Sequence, residues 1–170
     1  MKLPKIKLEK NKIDLLIEIL TFSLIIISIT IIGVFYNQLP EKIPIHFNWP
    51  TKDINGLGSK NIIFASPILF SIIAFGIYKL NKFPWIFNYP FEINEKNAVY
   101  NYTQATLMLR ILNLFIGVIC FYFTLTSVLG GLGNKLNFFN KIELFFPFIF
   151  IGIPVVFLIQ ILAKNKTSNN

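Results

Sequence analysis

Ile19-Leu20-Thr21-Phe22-Ser23-Leu24-Ile25-Ile26-Ile27-Ser28-Ile29-Thr30-Ile31-Ile32-Gly33-Val34-Phe35-Tyr36 is a run of 18 residues without a charge. A helix rises ~1.5 Å per residue, so about 20 residues cross the ~30 Å hydrocarbon core of a bilayer, and an apolar lead-in from Leu15 extends the run to that length. Three further runs repeat the pattern: Asn61 to Tyr78, Ile111 to Asn134 and Leu144 to Ala163. Allowing for their flanks, the expected spans are 15–36, 61–80, 104–132 and 143–163. The fold class that follows is all-α: a four-helix transmembrane bundle forming a single domain over 1–170, with loops at 37–60 and 81–103. Pro67, in the first half of the second run, predicts a kink there. Gly130, Gly131 and Gly133 suit the end of the third helix, because glycine accepts positive φ. In the fourth run Pro147 fits the first turn, whereas Pro154 should bend the helix interior.

Composition points the same way. The chain has 170 residues, of which 54% are hydrophobic and only 14% charged, with a mean hydropathy of +0.62. Soluble domains carry about 25% charged residues, so this chain is short of water-facing surface. Cys120 is the only cysteine and His46 the only histidine. That excludes an internal disulfide and a Cys/His zinc cluster, which needs three or four ligands. The net charge of +8 would suggest nucleic acid in a soluble protein, but here the lysines gather at the ends of the apolar runs, where membrane topology explains them. No nucleic-acid partner and no cofactor is expected; the lipid bilayer is.

The lysines also set the orientation. Lys2, Lys5, Lys7, Lys10 and Lys12 in the tail, Lys79, Lys82 and Lys96 in the second loop, and Lys164 and Lys166 at the C-terminus make ten on one side, against five in the alternate loops. Both termini should therefore face the cytoplasm, which makes the first loop external and the second cytoplasmic. Trp49, Trp85, Tyr36 and Tyr78 fall at or beside span ends, as an aromatic belt requires. The basic tail resembles the start of a signal peptide, but the apolar run is too long and no small-residue cleavage site follows it. A retained anchor is expected, with the polar residues Asn165 to Asn170 frayed.

The first loop contains Leu39-Pro40-Glu41-Lys42-Ile43-Pro44-Ile45-His46-Phe47-Asn48-Trp49-Pro50. Ile43, Ile45, Phe47 and Trp49 alternate with Pro44, His46, Asn48 and Pro50, which reads as an extended segment with one apolar face. Its prolines exclude a helix or a central sheet strand. One reading is an amphipathic strip that caps the bundle or lies on the membrane surface; the other is an external recognition surface formed by Pro44, His46, Phe47, Asn48, Asp53 and Lys60. A His46 to Asp53 hydrogen bond would pin the loop. Asn55-Gly56 and Gly58 read as turn residues.

Leu39-Pro40, Ile43-Pro44, His46-Phe47-Asn48, Asp53 and Gly58-Ser59-Lys60 directly before a span, followed in the second loop by Asn88-Tyr89-Pro90-Phe91 and Asn94-Glu95-Lys96-Asn97-Ala98, resemble a bacterial membrane domain of unknown function. That domain forms the N-terminal part of immunity proteins of the sporulation-delaying-protein type. The resemblance covers roughly 15–130 and implies a bacterial cytoplasmic-membrane location and an immunity-like role, with a peptide toxin or another membrane protein as partner.

Arg110 is the costly residue, since an unpaired arginine at a helix centre is unfavourable by about 3 kcal/mol on insertion scales. With both termini on one side, Arg110 lies at the depth of Glu18, one turn from Asp14, and Gln160 is near that side. Asn113 shares the Arg110 face. The expectation is an inner polar layer in which Arg110 pairs with Glu18 or Asp14 while Gln160 or Asn113 meets its remaining donors; the alternative is an arginine that snorkels to lipid phosphates. Ser28, Thr30, Thr124 and Thr126 read as packing contacts between helices. No nucleophile and base share one layer, so no catalytic residues and no metal ligands are assigned and the chain is not expected to be an enzyme. The leading function is an immunity-like or accessory membrane protein that recognises a peptide or hydrophobic ligand through the first loop. A small transporter or channel subunit and a structural subunit that binds a partner protein are the rivals.

Overall fold

The computed structural model describes residues 3–45, 53–134 and 139–168, without the side chains of 139–141 and 165–168. Four helices carry the fold: α1 (Lys12–Phe35), α2 (Ala65–Leu80), α3 (Ala98–Gly131) and α4 (Phe146–Ser168). With their flanking turns, all four are long and apolar enough to cross a membrane. Between α1 and α2 lies a short antiparallel pair, β1 (Lys42–Pro44) and β2 (Leu57–Ser59), in which Ile43 faces Gly58. Helix α3 is the axis, with α1 and α2 packed along it and α4 resting on it alone among the larger helix contacts.

The packing is inverted relative to a soluble protein. The buried face of α1 is Asp14, Glu18, Thr21, Ile25, Ser28 and Ile32, alternately three and four residues apart, and most of it is polar. Outward stand Ile13, Leu16, Ile19, Ile26, Ile29 and Val34, all exposed. In water this would be the wrong way round. In lipid it follows from the solvent, because apolar side chains lose nothing by facing acyl chains while close packing and interhelical polar contacts favour small and polar residues inside. Thr21, Ser28 and Thr126 return their hydroxyls to the backbone carbonyl four residues back, so their bulk enters the seam without an unmet donor. At Gly117 a Cβ would come within 3.0 Å of the Thr21 carbonyl oxygen, which marks a close backbone approach between α1 and α3.

Two ends of the helices have local causes. Asn11 and Asp14 form a capping box that starts α1: Asp14 N–H donates to Asn11 Oδ1 at 2.8 Å, and Asn11 N–H donates to Asp14 Oδ2 at 3.1 Å. At the end of α3, Gly133 (φ +86) is left-handed, with Asn134 N–H donating to Leu129 O and Gly133 N–H to Gly130 O. This is a Schellman-like arrangement, and it is why a glycine stands there.

Several sequence expectations are adjusted. Pro67 lies in the first turn of α2, where its missing N–H removes no helical bond; the helix begins at Ala65 after a 3₁₀ segment, Lys60–Phe64. The third helix starts at Ala98, six residues before the expected 104, because its first turns pack on protein. Tyr102 is fully buried there with Ile93 and Ala98, against Leu3, Ile6, Leu8 and Trp85. Its hydroxyl donates to Pro4 O at 3.0 Å. The fourth helix continues through Ser168, past the expected limit of 163, and Pro154 lies in its interior.

Candidate functional site: a buried charge cluster and a docked loop

The Asp14 carboxylate that caps α1 also reaches α3. Its Oδ1 lies 3.2 Å from Arg110 Nη1, while Glu18 Oε1 accepts from Arg110 Nε at 3.1 Å. Asp14, Glu18 and Arg110 are all more than nine-tenths buried. The second Glu18 oxygen accepts from Lys10 Nζ at 2.5 Å, so two cations face two carboxylates and the cluster is neutral. Neutrality matters at this depth: a buried ion pair that loses one partner is destabilised by about 3–5 kcal/mol, because a charge is then stranded in a medium of low dielectric. The capping box adds position, holding the carboxylate at the helix N-terminus, where the backbone dipoles favour negative charge.

Of the proposed inner layer, then, Asp14, Glu18 and Arg110 meet. Asn113 and Gln160 do not join them. Asn113 Nδ2 donates to Ala74 O at 3.1 Å, linking α3 to α2, and Gln160 is exposed on α4, whose contact with Phe115 of α3 is made by Phe150 instead. Lys10 is the member that sequence reasoning missed. It sits before the Asn11 cap, outside any periodic segment, so no helical spacing signals its approach to Glu18.

Above the cluster opens a vestibule of about 870 Å³, whose wall includes Lys7, Lys10, Tyr78, Asn81, Lys82 and Arg110. Lys10 Nζ and Lys82 Nζ stand 4.7 and 5.0 Å from the centre of the Tyr78 ring. A separate apolar cleft of about 370 Å³ lies between the second loop, α3 and α4, with Phe87, Tyr89, Met108 and Leu158 in its wall. Burial, and then the neighbouring Tyr102, raise the Tyr89 hydroxyl above the usual phenol pKa; this hydroxyl donates to Pro84 O.

At the opposite end the base of the first loop is docked. Ile43, fully buried, joins Ile32, Leu39, Ile45, Ile63 and Val128 in an apolar cluster. A Cβ on Gly131 would lie 2.8 Å from Leu39 Cδ2 and 2.9 Å from Ile43 Cγ2, so the absence of a side chain at Gly131 lets the loop seat on α3. Asp53 builds the turn: its Oδ1 accepts from Asn55 and Leu57 N–H, and its Oδ2 accepts from Lys42 Nζ. The Leu57 bond is the main cause that holds the Asp53 carboxyl below its ordinary pKa. Gly56 (φ +78) supplies the left-handed residue of that turn. Lys60 pairs with Glu41 at 2.9 Å and stands over the Tyr36 ring, and Tyr36 donates to Asn61 Oδ1. Pro44 is half-buried in β1. His46, Phe47 and Asn48, and with them the expected His46 to Asp53 bond, lie outside the described residues.

Four spanning-length helices with their polar side chains turned inward define a small membrane protein. Residues 23–71, from within α1 through the strand pair into α2, match the model of a family described as a domain of unknown function (DUF1648). The match takes in the docked loop and stops before α3. No curated protein and no solved structure matches the chain. Among the described residues, no group of three His, Cys, Asp or Glu side chains could hold a metal ion.

Proposed function

We propose that this is a four-span protein of the bacterial cytoplasmic membrane, with both termini inside, acting as an immunity-like or accessory protein that recognises a peptide or hydrophobic ligand through its external first loop. The orientation rests on the excess of lysines at the end that carries the termini. The observation that supports the recognition role is the docking of the loop's base: Ile43 against Gly131 and Val128, and the Asp53 turn, hold both strands on the ends of α1 and α3. A loop on a rigid scaffold presents its contacts in a fixed geometry, which is how binding segments are commonly carried. Pro44, Asp53 and Lys60 frame the recognition surface.

The test is survival. A sensitive bacterium expressing the chain is challenged with membrane-active peptides, and wild type is compared with Asp53→Ala at equal expression. Protection by the wild type that falls in the variant is the expected result; no protection by the wild type against any peptide tested would contradict the reading. Orientation is checked separately: a cysteine from Glu41→Cys, 87% exposed at its side chain, should react with a membrane-impermeant maleimide in intact cells, and labelling only after lysis would reverse the topology.

The polar vestibule reaching Arg110 favours the transporter reading as second choice, because intramembrane charge that meets a water-accessible cavity is a common mark of a substrate path. Ligand-dependent flux in proteoliposomes would promote it.

A further inference from the structure

The vestibule holds more positive charge and more unmet hydrogen-bonding capacity than the helix packing uses. Its wall carries Lys7, Lys10, Lys82 and Arg110 against Glu9 alone. The buried carboxylates of Asp14 and Glu18 balance Arg110 and Lys10, which leaves Lys7 and Lys82 facing one exposed glutamate, and Lys5, Lys12 and Lys79 at the same end strengthen the field. Arginine has five N–H donors, and the carboxylates take the Nε and Nη1 positions, so Nη2 has no partner among the described residues. Asn81 also lines the vestibule, but its Oδ1 is shielded from the cavity, so the ligand-facing groups are the cationic ones.

The complement of this wall is a ligand with a phosphate for the ammonium and guanidinium groups. The volume of about 870 Å³ falls in the range of small-molecule sites, roughly 300–1,000 Å³, larger than an inorganic anion needs. The cationic groups in the wall suit a headgroup and leave acyl chains to the surrounding lipid. We propose that the vestibule binds the phosphate of a small polar headgroup, with Lys7, Lys82 and Arg110 on the phosphate. That chemistry is presented by the headgroup of phosphatidylglycerol and by free glycerol phosphate.

Native mass spectrometry of the detergent-purified full chain separates the sources. Phosphatidylglycerol and phosphatidylcholine are titrated in parallel, and glycerol 3-phosphate is added alone and as a competitor. Two variants are compared with wild type: Lys82→Gln in the wall, and Lys96→Gln, an exposed lysine of the second loop outside the wall. Lys82 is exposed too, so the two lysine variants change net charge equally and neither opens a buried site. The expected result is preferential retention of phosphatidylglycerol, about fivefold weaker in Lys82→Gln and unchanged in Lys96→Gln. Binding of glycerol 3-phosphate alone with the same variant pattern would support the site with a soluble ligand as its source. Equal retention of the two lipids with no binding of glycerol 3-phosphate, or an equal loss in Lys82→Gln and Lys96→Gln, would overturn the proposal.

Discussion

The same pair of helices, α1 and α3, is fastened by opposite means at its two ends. Near the termini the contact is ionic and directional: Asp14 and Glu18 hold Arg110, and Lys10 closes the set. At the strand-pair end it is apolar and steric, with Ile43 and Leu39 filling the space over Gly131. Between them runs a seam of small residues, Thr21, Gly117, Ser28 and Thr124. The two ends tolerate different changes. An ionic contact fails when its charge balance changes, whatever the shape of the replacement, whereas a steric one fails when volume changes, whatever the charge elsewhere.

The largest expected effect lies at the ionic end. Glu18→Arg places a third cation beside Arg110 and Lys10 and leaves Asp14 as the only carboxylate in the cluster. Loss of about 3–5 kcal/mol, the scale for breaking a buried pair, should remove most folded protein, read as monodisperse yield after detergent extraction. A near-normal yield would mean that Arg110 does not depend on Glu18. At the steric end, Ile43→Ala should cost about 2–5 kcal/mol through transfer and cavity terms, and thermal unfolding of this variant should respond to salt as the wild type does. Gly131→Val should cost about 1–3 kcal/mol by overpacking against Leu39 and Ile43. It should also raise proteolysis of the first loop while leaving the ionic end intact. A clash that spread to the Arg110 end would break the division.

Smaller effects sharpen it. Lys10 is about a third exposed at its side chain, so Lys10→Gln should destabilise by no more than about 1 kcal/mol, the scale of solvent-screened pairs, well below Glu18→Arg in the same assay. Acid should loosen the strand turn slightly. The folded pKa of Asp53 is depressed, so its contribution is complete above the unfolded value of about 3.9 and is lost as pH falls through the lower folded value. Hydrogen exchange at the Leu57 amide should therefore rise, relative to its intrinsic rate, only below about pH 4. A change centred near neutrality would point to another group.

The helices were legible because lipid leaves a plain mark: an uncharged run of spanning length. The depth of Arg110 against Glu18 was readable too, since spans that alternate in direction make the first and third parallel and place both residues near the end that carries the termini. What escaped depended on distant contacts. The first turns of α3, Val99-Tyr100-Asn101-Tyr102-Thr103, carry no hydropathy signal and are helical beside a tail 98 residues earlier in sequence. Lys10 lies outside any helical period, and Gln160 faces outward because α4 touches mainly α3, an arrangement that composition does not encode. The seating of the strand pair depends on Gly131 accepting Ile43, a pairing of one glycine with one isoleucine that alternation alone does not specify.

The central claim is that Arg110 is held by the α1 carboxylates rather than by lipid, and the charge swap tests it most directly. Arg110→Glu is added to Glu18→Arg and the folded yield of the double variant is measured against both single variants. Partial recovery above either single variant is predicted: the swapped pair re-forms, but Lys10 then faces the introduced guanidinium and Asp14 a second carboxylate, so wild-type yield is not regained. A double variant no better than the worse single variant would contradict the claim and leave Arg110 to the lipid phosphates.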